Sequence, residues 1–181
     1  LARDARRLSQ AVDEIRASAA HPNAQVIQPL STDVTHWEAV RAAVLSVVQD
    51  GHTPDYLFNF AGFCIPGYFQ ELPLSAFREM MDVAYFGTLH TIKAVAPFMM
   101  QRRSGHIVNT SSVAGITGVF GYSAYAPAKY AVRGLSEVLR NELKPYGIKV
   151  TILFPPDTDT PGFQKENETK PAETFAISAG A

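Results

Sequence analysis

Cysteine is nearly absent from this 181-residue sequence, with Cys64 standing alone. No intrachain disulfide can form, an oxidising compartment is not indicated, and a lone cysteine in an apolar setting reads as a small hydrophobe. Charge of one sign is also missing. The 16 Lys and Arg face 17 Asp and Glu, a net charge of -1, so there is no electrostatic footprint for nucleic acid. The pairs Arg6-Arg7 and Arg102-Arg103 read as solvated helix faces. No apolar run approaches the roughly 20 residues that a transmembrane helix needs. There is no initiator Met, no signal peptide, no internal repeat and no low-complexity tract. None of the 12 glycines stands two residues from another, so a Gly-x-Gly phosphate loop is absent as well.

What remains is an ordinary globular composition, 46% hydrophobic and 18% charged, enough for one domain with a sizeable core. Helical spacing of Ala5, Leu8, Val12 and Ile15 predicts a helix over 4–19, broken by His21-Pro22-Asn23. The apolar stretch 24–30 predicts a strand. Thr35, with Glu38 three residues on, predicts a capping box for a second helix that runs to about Asp50 and stops at Gly51. Strands are predicted at 55–60, 106–110 and 148–154. Helices are predicted over 75–103, with bends at Gly87 and Pro97, and over 123–145. The tail 157–181, rich in polar residues and proline, reads as irregular. Apolar strands alternating with helices indicate an α/β fold with a parallel sheet covered on both faces.

Chemistry concentrates at two residues. Tyr125 and Lys129, four apart in a predicted helix, project from one face. Such a pair is weak on its own, but this helix follows a loop that leaves a strand ending in Thr110-Ser111-Ser112. In a parallel α/β sheet the carboxyl ends of the strands are where ligands sit. Reducing a ketone requires a proton delivered to the developing alkoxide, and a free tyrosine, titrating near ~10, is a poor donor at neutral pH. A neighbouring ammonium is expected to lower that value, which gives Lys129 its task. Ser112 would donate to the substrate oxygen where charge forms.

Asp33-Val34, Asn59-Phe60-Ala61-Gly62, Ser112, Tyr125-Ala126-Pro127-Ala128-Lys129 and Pro155 resemble, in order and spacing, the motif set of the short-chain dehydrogenase/reductase family. The resemblance implies a Rossmann-like, doubly wound parallel sheet and a catalytic set of Ser112, Tyr125 and Lys129. It also implies a nicotinamide cofactor. Asp33 would take the adenine amino group and Val34 would pack near the base. The backbone of Asn59, Ala61 and Gly62 would approach the adenosine ribose and pyrophosphate. Tyr125 and Lys129 would reach the nicotinamide ribose, and Pro155 and Thr158 the carboxamide. Arg3, where the family's second strand ends, resembles the NADP-preferring members, because guanidinium matches a 2′-phosphate. No metal is implied.

The run Pro155 to Phe163, with Arg133-Gly134-Leu135 and Leu143-Lys144-Pro145-Tyr146, resembles the ketosphingoid-base reductases of that family. This implies a long-chain ketosphingoid lipid as substrate, reduced by NADPH in sphingolipid synthesis at the cytosolic face of the endoplasmic reticulum membrane. Membrane association would be carried by parts outside this chain, and a homo-oligomer would pair through the two long helices. A reductase of steroids or small ketones, and a non-catalytic nucleotide-binding relative, remain as alternatives. Two departures stand out. The family's first strand, Gly-rich loop and last strand are expected outside these 181 residues, which leaves 1–181 as a partial dinucleotide-binding domain. Ala84 occupies the position of the family's catalytic Asn, which supports a proton-relay water.

Overall fold

The apolar runs Tyr56–Asn59 (β1), Gly105–Thr110 (β2) and Ile148–Leu153 (β3) form a parallel sheet in the order β1-β2-β3. They belong to a computed structural model that describes residues 1–21, 25–49 and 52–178. Asn59 lies opposite Asn109, and Thr110 opposite Leu153. Because all three strands run the same way, the segments following Asn59, Thr110 and Leu153 leave the sheet at one end. That shared exit gathers the motif loops.

Helices α1 (Ala5–Ser18), α2 (Trp37–Gln49), α3 (Leu74–Met80), α4 (Gly87–Arg102) and α5 (Tyr125–Glu142) surround the strands. The largest core cluster joins Val40 and Val44 of α2, Ile92, Val95 and Met99 of α4, and Ile107, Ile148 and Val150 of the sheet. A second cluster packs Met80 and Ala84 against Ala124, Ala128 and Val132. Between α3 and α4 the helical path widens into one π-helical turn, Met81–Phe86, which holds Ala84. Such single wide turns cluster at functional sites. The path closes again at Gly87, where a Cβ would fall 2.7 Å from Val34 Cγ2, and runs on through Pro97.

Three expectations are corrected. Residues 25–30 form no strand. A strand must hand its N–H and C=O groups to a neighbour, and here the pairing is confined to one bridge, Ala2 with Ser31, while Val26 is 94% exposed. The capping box at Thr35 does not form. The Asp33 carboxylate takes both the Thr35 amide, at 2.9 Å, and its hydroxyl, at 2.8 Å, and Glu38 turns to Arg41. The tail is not irregular, since it carries α6 (Pro161–Asn167) and α7 (Ala172–Ser178). Proline at N1 suits a helix start, and Thr160 Oγ1 caps it by accepting from the Phe163 amide at 3.2 Å. Of the expected boundaries, Pro22, Asn23, Ala24, Asp50 and Gly51 lie outside the described residues.

Candidate active site

Tyr125 is the first residue of α5 and Lys129 follows one turn later, so both face the loop leaving β2. That loop is pulled tight against α5. Ser111 Oγ donates to the Lys129 carbonyl at 2.9 Å, and Gly115 approaches so closely that a Cβ would collide with Ser111 Oγ and meet the Lys129 carbonyl at 3.0 Å. Lys129 is only 5% exposed; its Nζ donates to the Thr110 carbonyl at 3.0 Å and lies 5.5 Å from the Tyr125 ring centre. Ser112 Oγ accepts from the Ala114 amide at 3.2 Å and stands close enough to the Tyr125 phenol to favour its ionised form. Ser112, Tyr125 and Lys129 thus share one cleft.

The electrostatics differ from the expected lowering of the phenol. Burial pushes Tyr125 up to about 12; the Ser112 hydroxyl opposes the rise, and the charges of Glu166 and Asp157 add to it. Burial also draws Lys129 down to about 8. Desolvation penalises phenolate and ammonium alike, and it is the largest cause of both shifts. The phenol is fully protonated at neutral pH, which is the state a proton donor needs.

The remaining predicted residues fall in two groups. Ala61 and Gly62 are exposed on the loop after β1, and a Cβ on Gly62 would stand 3.7 Å from Lys129 Nζ. Pro155 and Thr158 are exposed beyond β3, where Thr158 Oγ1 donates to the Pro156 carbonyl at 2.9 Å. The second group gathers around the bridge between Ala2 and Ser31. Arg3 NH1 lies 3.8 Å from Asp33 Oδ2, a solvent-screened pair that adds little stability. Burial would raise the Asp33 pKa, but the Thr35 hydrogen bonds, Arg3 and His36 together hold it below the usual carboxylate value. Val34 is half-buried, and its carbonyl pairs with His90 Nδ1 at 2.8 Å.

Asn59 directs its side chain into the core rather than toward the cleft. It donates to Asn109 Oδ1 at 2.8 Å and accepts from Thr91 Oγ1 at 2.6 Å. Asn109 in turn donates to Ser136 Oγ at 2.9 Å, and Ser136 donates to the Val132 carbonyl at 2.7 Å. This buried chain ties α4, β1, β2 and α5 together beneath the site. Its signal in the sequence is Asn109, an amide inside an apolar strand.

A second cluster also escaped the sequence. The Tyr122 hydroxyl donates to Glu166 Oε1 at 2.6 Å, and the Tyr122 ring stands edge-on to Tyr125 with centres 5.6 Å apart. Lys170 Nζ is 3.1 Å from the same Glu166 oxygen and 4.0 Å from the Phe163 ring centre; it is fully buried, without an aligned hydrogen bond among the described residues. Burial and the Glu166 charge push the neighbouring Cys64 thiol well up. Glu166 lies in the last turn of α6 and Lys170 just beyond that helix, so the chain folds back to bring the two together.

The chain is similar to known proteins over nearly its whole length. It is 49% identical over 158 residues to a 3-ketodihydrosphingosine reductase of Dictyostelium discoideum, covering 85% of this chain and 47% of that protein. With a 3-dehydrosphinganine reductase of Danio rerio it shares 45% identity over 179 residues, 98% of this chain and 54% of the relative. The chain therefore spans about half the length of these relatives. Among solved structures, ElxO with NADP bound matches with a TM-score of 0.72 at 30% identity, over 76% of this chain and 56% of the other. An NAD+-bound xylitol dehydrogenase matches with a TM-score of 0.78 at 34% identity, over 88% and 61%. A family model described as short chain dehydrogenase matches residues 1–171, and the chain belongs to the short-chain dehydrogenase family.

Proposed function

We propose that this chain forms part of an NADPH-dependent reductase of a long-chain ketosphingoid base, converting the 3-keto group of 3-ketodihydrosphingosine to a hydroxyl. One observation carries the reading: Tyr122, whose ring stands edge-on to Tyr125 of the Ser112-Tyr125-Lys129 set, also lines an aromatic cavity of about 690 Å³, although none of those three side chains lines it. Tyr68, Phe69, Val119, Phe120, Tyr122 and Tyr130 line it. Its size falls within the roughly 300–1,000 Å³ of small-molecule sites, and its apolar walls suit an alkyl chain. The names of the similar reductases support the same substrate class.

The residues present fit a nicotinamide cofactor. Among the described residues Lys129 Nζ has one acceptor, the Thr110 carbonyl, which leaves ammonium hydrogens for ribose hydroxyls. Gly62, lacking a Cβ, leaves the backbone beside that ammonium open. The exposed Arg3 and the half-buried Asp33, paired, would hold the adenosine end, with Arg3 favouring a 2′-phosphate. Val34, the backbone of Asn59, Ala61 and Gly62, and Pro155 and Thr158 would complete the contacts. The reduced cofactor, when bound, supplies the hydride.

The chain's own residues handle the proton and the charge. Ser112 donates to the ketone oxygen and orients it toward Tyr125. Tyr125, protonated at neutral pH, gives its proton to that oxygen as negative charge develops. Lys129 stabilises the phenolate left behind, a role that requires its own charge. Within this reading the reaction belongs at the endoplasmic reticulum membrane. No described helix is long and apolar enough to cross a membrane, so bilayer contact is assigned to other parts of the protein, which would also act as a homo-oligomer.

The test is an assay of the full-length protein with 3-ketodihydrosphingosine and either NADPH or NADH. NADPH oxidation that depends on the sphingoid ketone supports the reading. Turnover confined to steroids or small ketones would transfer it to another reductase class. No oxidation of either cofactor with any ketone would favour a nucleotide-binding role.

A further inference from the structure

A ketosphingoid base differs from a simple long-chain ketone in one way that a protein must answer. It carries an amine on the carbon next to the reacting carbonyl, charged at neutral pH. Moving an isolated ammonium into a cleft is costly unless a carboxylate receives it. The positioned carboxylate beside the proton donor is Glu166.

We propose that Glu166 binds the substrate's ammonium group and thereby selects aminoketones, an assignment that rests on the reductase reading above. Glu166 is held by the Tyr122 hydroxyl at 2.6 Å, and Tyr122 packs edge-on against Tyr125 with ring centres 5.6 Å apart. The carboxylate therefore sits one aromatic ring away from the proton donor, as befits the atom next to a ketone. Both of its protein partners, Tyr122 and Lys170, use Oε1. Neither is bonded to Oε2, the Cys64 thiol also lies against the carboxylate, and the side chain keeps 15% exposure. A carboxylate offers about four acceptor positions, so the pairing with Lys170 leaves room for a second cation.

The neighbours prepare Glu166 for this task. Lys170 is fully buried at 3.1 Å and helps hold the carboxylate in place. Tyr122 also lines the aromatic cavity, so it touches both the carboxylate and the cavity assigned to the tail. Asp157 also raises the Tyr125 pKa, but it lies on an exposed segment, and no side chain among the described residues holds its carboxylate as Tyr122 and Lys170 hold that of Glu166.

The test uses the full-length protein and two ketones of equal chain length, the natural 2-amino-1-hydroxy-3-ketone and its analogue without the amine. Glu166→Gln is expected to lower kcat/KM on the aminoketone about 10- to 100-fold, the range of a lost hydrogen bond to a charged group, and on the deamino ketone less than threefold. Equal losses on both would overturn the assignment. If the glutamine variant fails to fold, product-like inhibitors of the unaltered protein decide. The 2-amino-1,3-diol should inhibit at least tenfold more tightly than the matching 1,3-diol, and equal inhibition would overturn the proposal. An unaltered protein that reduces neither ketone refutes the reductase reading itself, whereas one that reduces both equally well refutes only the role of Glu166.

Discussion

Lys129 Nζ lies 5.5 Å from the centre of the Tyr125 ring and donates to the Thr110 carbonyl at 3.0 Å, so the ammonium is anchored to the sheet while it faces the phenol. Its position ties the pH behaviour of the site to Lys129 more than to Tyr125. Tyr125, at about 12, stays protonated across the working range, and Lys129, at about 8, does not stay charged.

The reductive rate should therefore be level below pH 8 and fall as pH rises through about 8, when Lys129 loses its charge. A pH profile of kcat/KM checks this. A profile that rises with pH through this range would contradict it.

Gly62 stands beside the same ammonium with an exposed backbone and ordinary room for one carbon, 3.7 Å from Nζ. Gly62→Val should weaken NADPH binding by about tenfold or more, roughly 1.4 kcal/mol, because the branches project into the space over Lys129. Thermal stability should change little. Titration of NADPH fluorescence together with a melting curve separates the two effects.

Much of this architecture was legible in the sequence. The helices at 5–18, 37–49 and 125–142 and the three strands announce themselves through apolar spacing, which depends on near neighbours. The segment 25–30 has the same apolar character but finds no ladder, because pairing depends on residues far away in the chain. The proline-rich tail reads as irregular from its composition, although Pro161 stands at a first helical position, where its fixed φ favours a start. That reading hid α6, and with it the face that brings Glu166 to Tyr122. The direction of the Tyr125 shift was also out of reach. Spacing places an ammonium near a phenol, but only the packed structure shows how far both are removed from water.

The buried chain Thr91-Asn59-Asn109-Ser136 supports the site from below. Asn109→Ala should cost about 1–3 kcal/mol by leaving the Asn59 amide without its acceptor. A protein of this size would lose roughly 2–4 °C in Tm for each kcal/mol. An unchanged Tm would show that the chain is not a stabilising network.

Ala84 is 5% exposed in the wide turn between α3 and α4, packed among Met80, Ala124, Ala128 and Val132. By the family pattern, Ala84→Asn should raise turnover through the proton relay. The amide enters an apolar cluster, so the same change should lower Tm. Steady-state kinetics and a melting curve read both, and unchanged turnover would show that this relay is not used here.

Tyr125→Phe removes one oxygen from the cleft and leaves the ring, its contact with Tyr122 and the position of Lys129 in place. Measured on the full-length protein with saturating NADPH and the sphingoid ketone, this variant should lose about 10²- to 10⁴-fold in kcat while binding NADPH nearly as before. A variant that keeps close to the unaltered rate would contradict the assignment of Tyr125 as the proton donor.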